Sequence, residues 1–198
     1  MRTDIAALIG SRICHDLISP IGAIGNGVEL LSLGDDPANG SPELELISES
    51  VENASARIKF FRIAYGASAS HQLIGRQEVL STLAATARGG RLTYFWNIAD
   101  DQPRDEVRAV FLALQCFETA LPLGGTIDIN RNEGVWEIQG SGRRLALDSS
   151  LWDCLTNPRL KADFTPSEVQ FALLPSALHE ARRKISIHRA DDTLTMRF

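Results

Sequence analysis

The sequence predicts an α+β fold, an N-terminal antiparallel helical hairpin followed by an α/β sandwich. Three observations predict it. Residues 5–33 and 42–65 each carry apolar residues at alternating steps of three and four, the rhythm of a helix seam. A connection rich in turn formers, SLGDDPANGSP at 32–42, separates them. Beyond residue 76, helical and strand periodicities alternate, as in a sheet with helices packed on one face.

The first seam runs through Leu17, Ile21, Ile24, Val28 and Leu31, and backwards through the small residues Cys14, Gly10 and Ala7. The second runs through Leu44, Ile47, Val51, Ala54, Ile58, Phe61 and Tyr65. Ser41 followed by Pro42 is a helix start, a capping hydroxyl before proline at the first helical position. Two seams joined by a short loop make the hairpin. Alone it leaves Ile5, Ile9, Ile13, Leu30, Leu46 and Phe60 only partly covered. Either the rest of the chain covers them, or a second copy does, forming a dimeric four-helix bundle across a two-fold axis. We expect the homodimer.

The reading places a hairpin domain at residues 1–70 and an α/β domain at 77–198, with GASASHQLIGR at 66–76 as a small, polar linker. A helix near 77–88 precedes a strand at 91–98, and a long helix at 104–121 stops at Gly124 and Gly125. TIDINRNEGVWEIQG reads as a β-hairpin around Asn132–Gly134. A helix near 167–183 leads into a closing hairpin, KISIHRADDTLTMRF.

Composition narrows the function classes. The net charge is −5 and the pI is near 5.4, against the basic stripe of a nucleic-acid binder. Cys14, Cys116 and Cys154 are far apart and match no metal spacing, as expected in a reducing cytoplasm. The N-terminus lacks a signal-peptide pattern, and the most apolar run, VFLALQCF at 110–117, is too short to span a bilayer. A soluble, cytoplasmic protein with no nucleic-acid or membrane partner is expected.

The stretch RICHDLISPIGAIGNGVELL at 12–31 is the unusual one. It is helical in pattern, yet holds Pro20, Gly22, Gly25 and Gly27. Interior glycine costs roughly 1 kcal/mol against alanine, and interior proline roughly 3 kcal/mol. His15 shares a helix face with Ser11, Arg12, Ile18, Ser19, Gly22 and Asn26, residues three, four, seven or eleven positions away. Most are small or short, so the imidazole stands unhindered, one position off the seam. A helix that gives up stability beside an accessible histidine is shaped for close approach by another protein, with a nucleophile at the edge of the docking surface.

HDLISPIGAIGNGVELL resembles the H box of two-component signalling proteins, in which His, an acidic residue, Leu and a later Pro recur on the first helix of a dimeric bundle. With its glycines and GVELL, and with the hairpin–linker–α/β order of the whole chain, it is most similar to the alphaproteobacterial ChpT-type histidine phosphotransferases. The resemblance implies a cytoplasmic phosphorelay protein, linked to cell-cycle control. His15 would take a phosphoryl group from the receiver aspartate of a hybrid histidine kinase and pass it to response-regulator receivers. Asp16 would orient or polarise the imidazole, and Ser19 would hydrogen-bond near the phosphoryl group. Mg²⁺ would come with the receiver, so the chain itself needs no metal.

The resemblance also implies that the second domain derives from the ATPase domain of sensor kinases. There an asparagine-bearing helix holds Mg²⁺, an Asp-x-Gly-x-Gly turn reads the adenine, and glycines admit the phosphates. Here the matching helix, DEVRAVFLALQCFETAL, has no asparagine, and the turn reads IQGSG with Ile138 at the aspartate position. Gly140 and Gly142 survive, but no glycine occurs from Arg143 to Phe198. A degenerate domain that does not bind ATP is expected. Two other readings remain open: an ATP-dependent histidine kinase with a diverged site, and a non-catalytic dimeric interaction module.

Docking residues follow from placing the hairpin turn near residue 38, which sets position 61 opposite His15. Arg57, Phe60 and Arg62 then flank the seam at the level of the histidine. With Arg12, Ile18, Gly22 and Asn26 they form the expected receiver-binding surface, its arginines steering an acidic partner. His71, His179 and His188 read as surface residues.

Overall fold

In the computed structural model of the protein, residues 4–33, 42–67, 72–157, 160 and 162–198 are described. Helix α1 spans Ile5–Leu33 and runs through Pro20; α2 spans Pro42–Ala64. Asp4 opens α1, its Oδ1 accepting from the backbone N–H groups of Ala6 (3.1 Å) and Ala7 (3.2 Å), which satisfies donors that have no intrahelical partner. The expected cap at Ser41 and most of the hairpin connection lie outside the described residues.

The two helices pack together along their length. At Gly27 the contact is close: a Cβ there would stand 2.6 Å from Ile47 Cγ1. Further along, Arg57 Nη1 reaches Asp16 Oδ2 at 3.4 Å. These pairings set the register about three residues from the one expected, so His15 lies level with residues 58–59 and not with 61. The heptad rhythm is real but divided. Leu17, Ile24, Leu31, Ile47 and Ala54 are half-buried, whereas Ile21, Val28, Leu44, Val51 and Ile58 remain exposed.

The α/β unit is built on a five-stranded sheet of order β2-β4-β5-β7-β6. Its strands are β2 Leu92–Trp96, β4 Gly125–Asn132, β5 Val135–Ser141, β6 Ser186–Ala190 and β7 Thr193–Arg197. β2 and β4 are parallel and the other pairs antiparallel. The turn between β4 and β5 is the expected one: Glu133 and Gly134 both have positive φ, 50° and 80°, as a two-residue hairpin turn requires. Alternation along the strands sends Ile127, Ile129, Trp136, Ile138, Leu194 and Met196 to one fully buried face. Against it lie α4 (Arg104–Ala120) and α6 (Val169–Glu180), which pack on each other. α4 carries its charges toward its two ends and is buried without a break from Ala109 to Phe117. α2 packs on α4 as well, and α3 (Arg76–Arg88) packs on α2 and β2.

Hairpin and α/β unit share one core. Phe60, Phe61, Ile63 and Ala64 at the end of α2 join Phe111, Leu114 and Phe117 of α4 in the same cluster. Phe60, expected on the receiver-binding surface, is only 3% exposed and its ring lies 4.8 Å from that of Phe111. Apolar burial decides its place: a fully buried phenylalanine contributes roughly 1.5–3 kcal/mol, and α4 offers it a matching face.

Part of the expected linker is ordered structure. Leu73–Ile74 (β1) pairs with Gln102–Pro103 (β3), and Ile74 is buried in the core. Residues 68–71 of that stretch, His71 included, lie outside the described residues. One helix was not foreseen: α5, Ser149–Thr156, too short for a clear period. Asp148 caps it, accepting from Ser150 N–H at 2.9 Å. The helix expected near 167–183 begins with a 3-10 turn at Pro166–Glu168 and ends at Glu180. No helix among the described residues is long and apolar enough to cross a membrane.

Candidate functional site

His15 stands on the outer face of α1 with 85% of its side chain exposed. Asp16 is its opposite, with 10% exposed. The two side chains meet at 3.2 Å between Nδ1 and Oδ1. An ionised carboxylate accepts and does not donate, so the proton of this bond sits on Nδ1. In the neutral ring this leaves Nε2 unprotonated, the tautomer a nucleophile needs, on a side chain that is 85% exposed.

Asp16 is held from behind. Its Oδ2 accepts from Arg12 Nε at 3.0 Å and from Arg57 Nη1 at 3.4 Å. Arg12 was expected on the docking surface, but its guanidinium is engaged by the protein on every side. Nη1 donates to the Ser167 carbonyl at 3.1 Å, and Nη2 lies 3.9 Å from Glu118 Oε2 on α4. It ties the hairpin to the α/β unit and has little left to offer a phosphoryl group. Arg57 differs: nearly half of its side chain is exposed, and it contacts Asp16 through one nitrogen.

Arg62 does not join this cluster. Its Nη2 donates to Glu78 Oε1 on α3 at 2.8 Å, because α2 turns that flank toward α3 once the register is fixed. Ser19, Gly22 and Asn26 are exposed on the His15 face, and Ile18 beside them is 68% exposed. A Cβ added at Gly22 or Gly25 would meet nothing within 4 Å, so those glycines leave open space. Gly27 has the other task already described, helix packing.

A groove of about 540 Å³ lies between hairpin and α/β unit, bordered by Asp16, Ser19, Arg57, Tyr94 and Glu118. Sequence reasoning missed Glu118 and Tyr94, which meet at 3.3 Å, the phenol donating to Oε1. Their signal was present: Glu118 is the single charge in the apolar run VFLALQCFETAL. Glu118 borders the groove with about a third of its side chain exposed (34%); burial of the rest raises its pKa, opposed by the nearby Arg12 and Arg57. Tyr94 is raised by burial and by Glu118. Tyr65, at the end of α2, is pushed up to about 12 by burial, with its hydroxyl donating to Gln115 at 3.0 Å.

IQGSG forms the end of strand β5 and the residue after it, Gly142, with the Ile138 side chain in the core and Ile138 paired with Met196 and Ile129. A Cβ at Gly140 would lie 2.5 Å from the Phe117 ring, and one at Gly142 would lie 2.6 Å from the Gly124 carbonyl oxygen. Both glycines admit the end of α4 and the turn after it. Among the described residues no cluster of His, Cys, Asp or Glu has the arrangement of a metal site. His179 and His188 are exposed, as expected.

Fold and site together define a class: a helical hairpin presenting one accessible histidine, docked on a sheet-and-helix unit. Residues 76–193 match the family described as histidine phosphotransferase C-terminal domain. The chain is 33% identical to the protein phosphotransferase ChpT of Brucella abortus over 93% of its own length and 90% of that protein's. It superposes on the 1.7 Å structure of a bacterial phosphotransferase with a TM-score of 0.80, at 30% identity, covering 100% of this chain and 96% of the other. AdeS, a histidine kinase of Acinetobacter baumannii, superposes more loosely, with a TM-score of 0.45 at 11% identity over 92% of this chain and 95% of that one. The chain belongs to the histidine phosphotransferase family.

Proposed function

We propose that His15 is the phosphoryl carrier, receiving the group from one receiver-domain aspartate and returning it to another. The exposed imidazole bonded through Nδ1 to an enclosed carboxylate carries this reading. Nε2 attacks the phosphorus of the donor's aspartyl phosphate in line. The N–P bond forms as the P–O bond to the aspartate breaks, and the electron pair leaves with the carboxylate. Asp16 stabilises the positive charge that develops on the ring while Nδ1 keeps its proton. In the second half-reaction an acceptor aspartate attacks the same phosphorus, and the N–P electrons return to Nε2. Covalent storage divides the transfer into two steps, and catalysis reduces to positioning and charge neutralisation. Arg57 supplies a cation at the rim; Ser19, one turn along, supplies a hydroxyl.

The donor is read as a hybrid kinase's receiver and the acceptors as response regulators. The magnesium ion that receivers hold in their own acidic cluster comes with them. Gly22, Asn26 and Ile18 offer the low, open surface on which a receiver helix can lie. ATP has no part in the reading: where a nucleotide-binding relative needs a carboxylate, the isoleucine side chain of Ile138 is sealed in the core. We place a second copy of the chain against the exposed stripe of Ile21, Val28, Leu44, Val51 and Ile58, whose seven-residue spacing on each helix is that of a bundle seam.

The test is labelling. Mixed with a panel of receiver domains carrying radiolabelled phosphate, the protein should acquire acid-labile, alkali-stable label, and His15→Ala should acquire none. An unlabelled wild-type protein, or label retained by His15→Ala, would refute the assignment.

A further inference from the structure

Resting on that reading of His15, we propose that Glu118 is a positioning residue for phosphotransfer, which through Arg12 fixes Asp16 and so holds the His15 imidazole in the attacking tautomer. The chain of contacts is continuous. Tyr94 of β2 donates to Glu118 Oε1 (3.3 Å), Glu118 Oε2 faces Arg12 Nη2 (3.9 Å), Arg12 Nε donates to Asp16 Oδ2 (3.0 Å), and Asp16 Oδ1 accepts from His15 Nδ1 (3.2 Å). It begins in the sheet and ends at the nucleophile, so the α/β unit takes part in the chemistry as well as in packing.

Charge explains why a carboxylate is needed at 118. Asp16 faces two guanidinium groups, Arg12 and Arg57, which both draw on the same oxygen. Without a second anion their combined field would weaken Asp16 as an acceptor from His15. Glu118 takes up part of the charge of Arg12, giving a cluster of two carboxylates and two guanidinium groups. Geometry adds to this, since Arg12 is fixed at Nη1 by the Ser167 carbonyl and at Nη2 by Glu118. Asp16 is thereby held against a guanidinium that cannot swing away.

Glu118 stands on the groove side of α4 with about a third of its side chain exposed (34%), and burial around it disfavours the charged form while Arg12 and Arg57 favour it. A carboxylate tied to Tyr94 on one side and to Arg12 on the other, beside the histidine, is a candidate functional position. The groups that face it are Arg12 and Asp16 from α1, Arg57 from α2 and Tyr94 from β2.

The experiment compares the wild-type protein with Glu118→Gln and Tyr94→Phe. Two quantities are measured: the His15 tautomer, from its ¹⁵N shifts, and the single-turnover rate from a phosphorylated receiver. The wild type should show the Nδ1–H tautomer. Glu118→Gln should drift toward a mixture of tautomers and transfer more slowly by on the order of tenfold or more, as misplaced reacting groups do. Tyr94→Phe should move both quantities the same way by less. If Glu118→Gln fails to fold, Tyr94→Phe decides alone. Wild-type tautomer and rate in every folded variant would overturn the proposal while leaving His15 as carrier; a wild type that no receiver labels would overturn the carrier reading, while the tautomer comparison still judges Glu118.

Discussion

At His15 the imidazole, the proposed nucleophile, is open to solvent while the Asp16 carboxylate bonded to it is enclosed, so the ring can be approached without losing its partner. The arginines around Asp16 divide the work by exposure. Arg12 is engaged within the protein through all three of its nitrogens, and Arg57 is the more exposed of the two. Arg57→Ala should therefore slow labelling by a receiver and flatten its dependence on salt, because a rim charge acts mainly on encounter. Arg62→Ala should change neither, since its partner is Glu78. Stopped labelling reactions at two ionic strengths separate the cases. That His15, Ser19, Gly22 and Asn26 share one exposed face was legible because helix geometry fixes which residues lie together. Glu118 and Tyr94 were not, because their meeting with Arg12 depends on how the hairpin docks on the sheet.

Among the elements, α1 explains its own odd composition. Its glycines do two jobs, and the periodicity of the sequence does not tell them apart. Gly22 faces open space, whereas Gly27 lets α2 approach. Gly22→Leu should leave the fold intact, and even gain up to about 1 kcal/mol in helix propensity, while blocking transfer by obstructing the receiver. Gly27→Leu should lower stability by about 1–3 kcal/mol, the usual cost of forcing atoms into a packed contact. Thermal melts and transfer rates on the two variants give opposite patterns if this division is right. The helices and strands with long periods, α1, α2, α4 and the β4–β5 hairpin, were legible. α5 and the β1–β3 pair were not, being too short to show a period and dependent on neighbours distant in sequence. Phe60 was placed wrongly for a related reason: its flank of α2 meets Phe111 of α4, a packing against the α/β unit that the helical period does not show.

For the whole molecule, the hairpin is anchored on its own α/β unit through Phe60, Phe61, Ile63 and Ala64. It therefore does not depend on a second copy to cover that side. The exposed apolar stripe on the remaining side supports the proposed dimer, and it changes what disruption should look like. Ile58→Glu should give a folded monomer in place of an unfolded chain, because the charge would be buried only at the copy-to-copy contact. Sedimentation of wild type and variant at micromolar concentration, with circular dichroism as the check on folding, tests this. A wild type that stays monomeric would remove the bundle.

The central claim is that the protein relays a phosphoryl group through His15, and a three-component reaction tests it most directly. A phosphorylated donor receiver is mixed with an unphosphorylated acceptor receiver, with and without this protein, and label is followed on all three chains over time. The account predicts that label reaches the acceptor only when the protein is present, passes through an acid-labile species on it, and stops at the donor when His15→Ala replaces the wild type. Equal labelling of the acceptor by the wild type and by His15→Ala would contradict it.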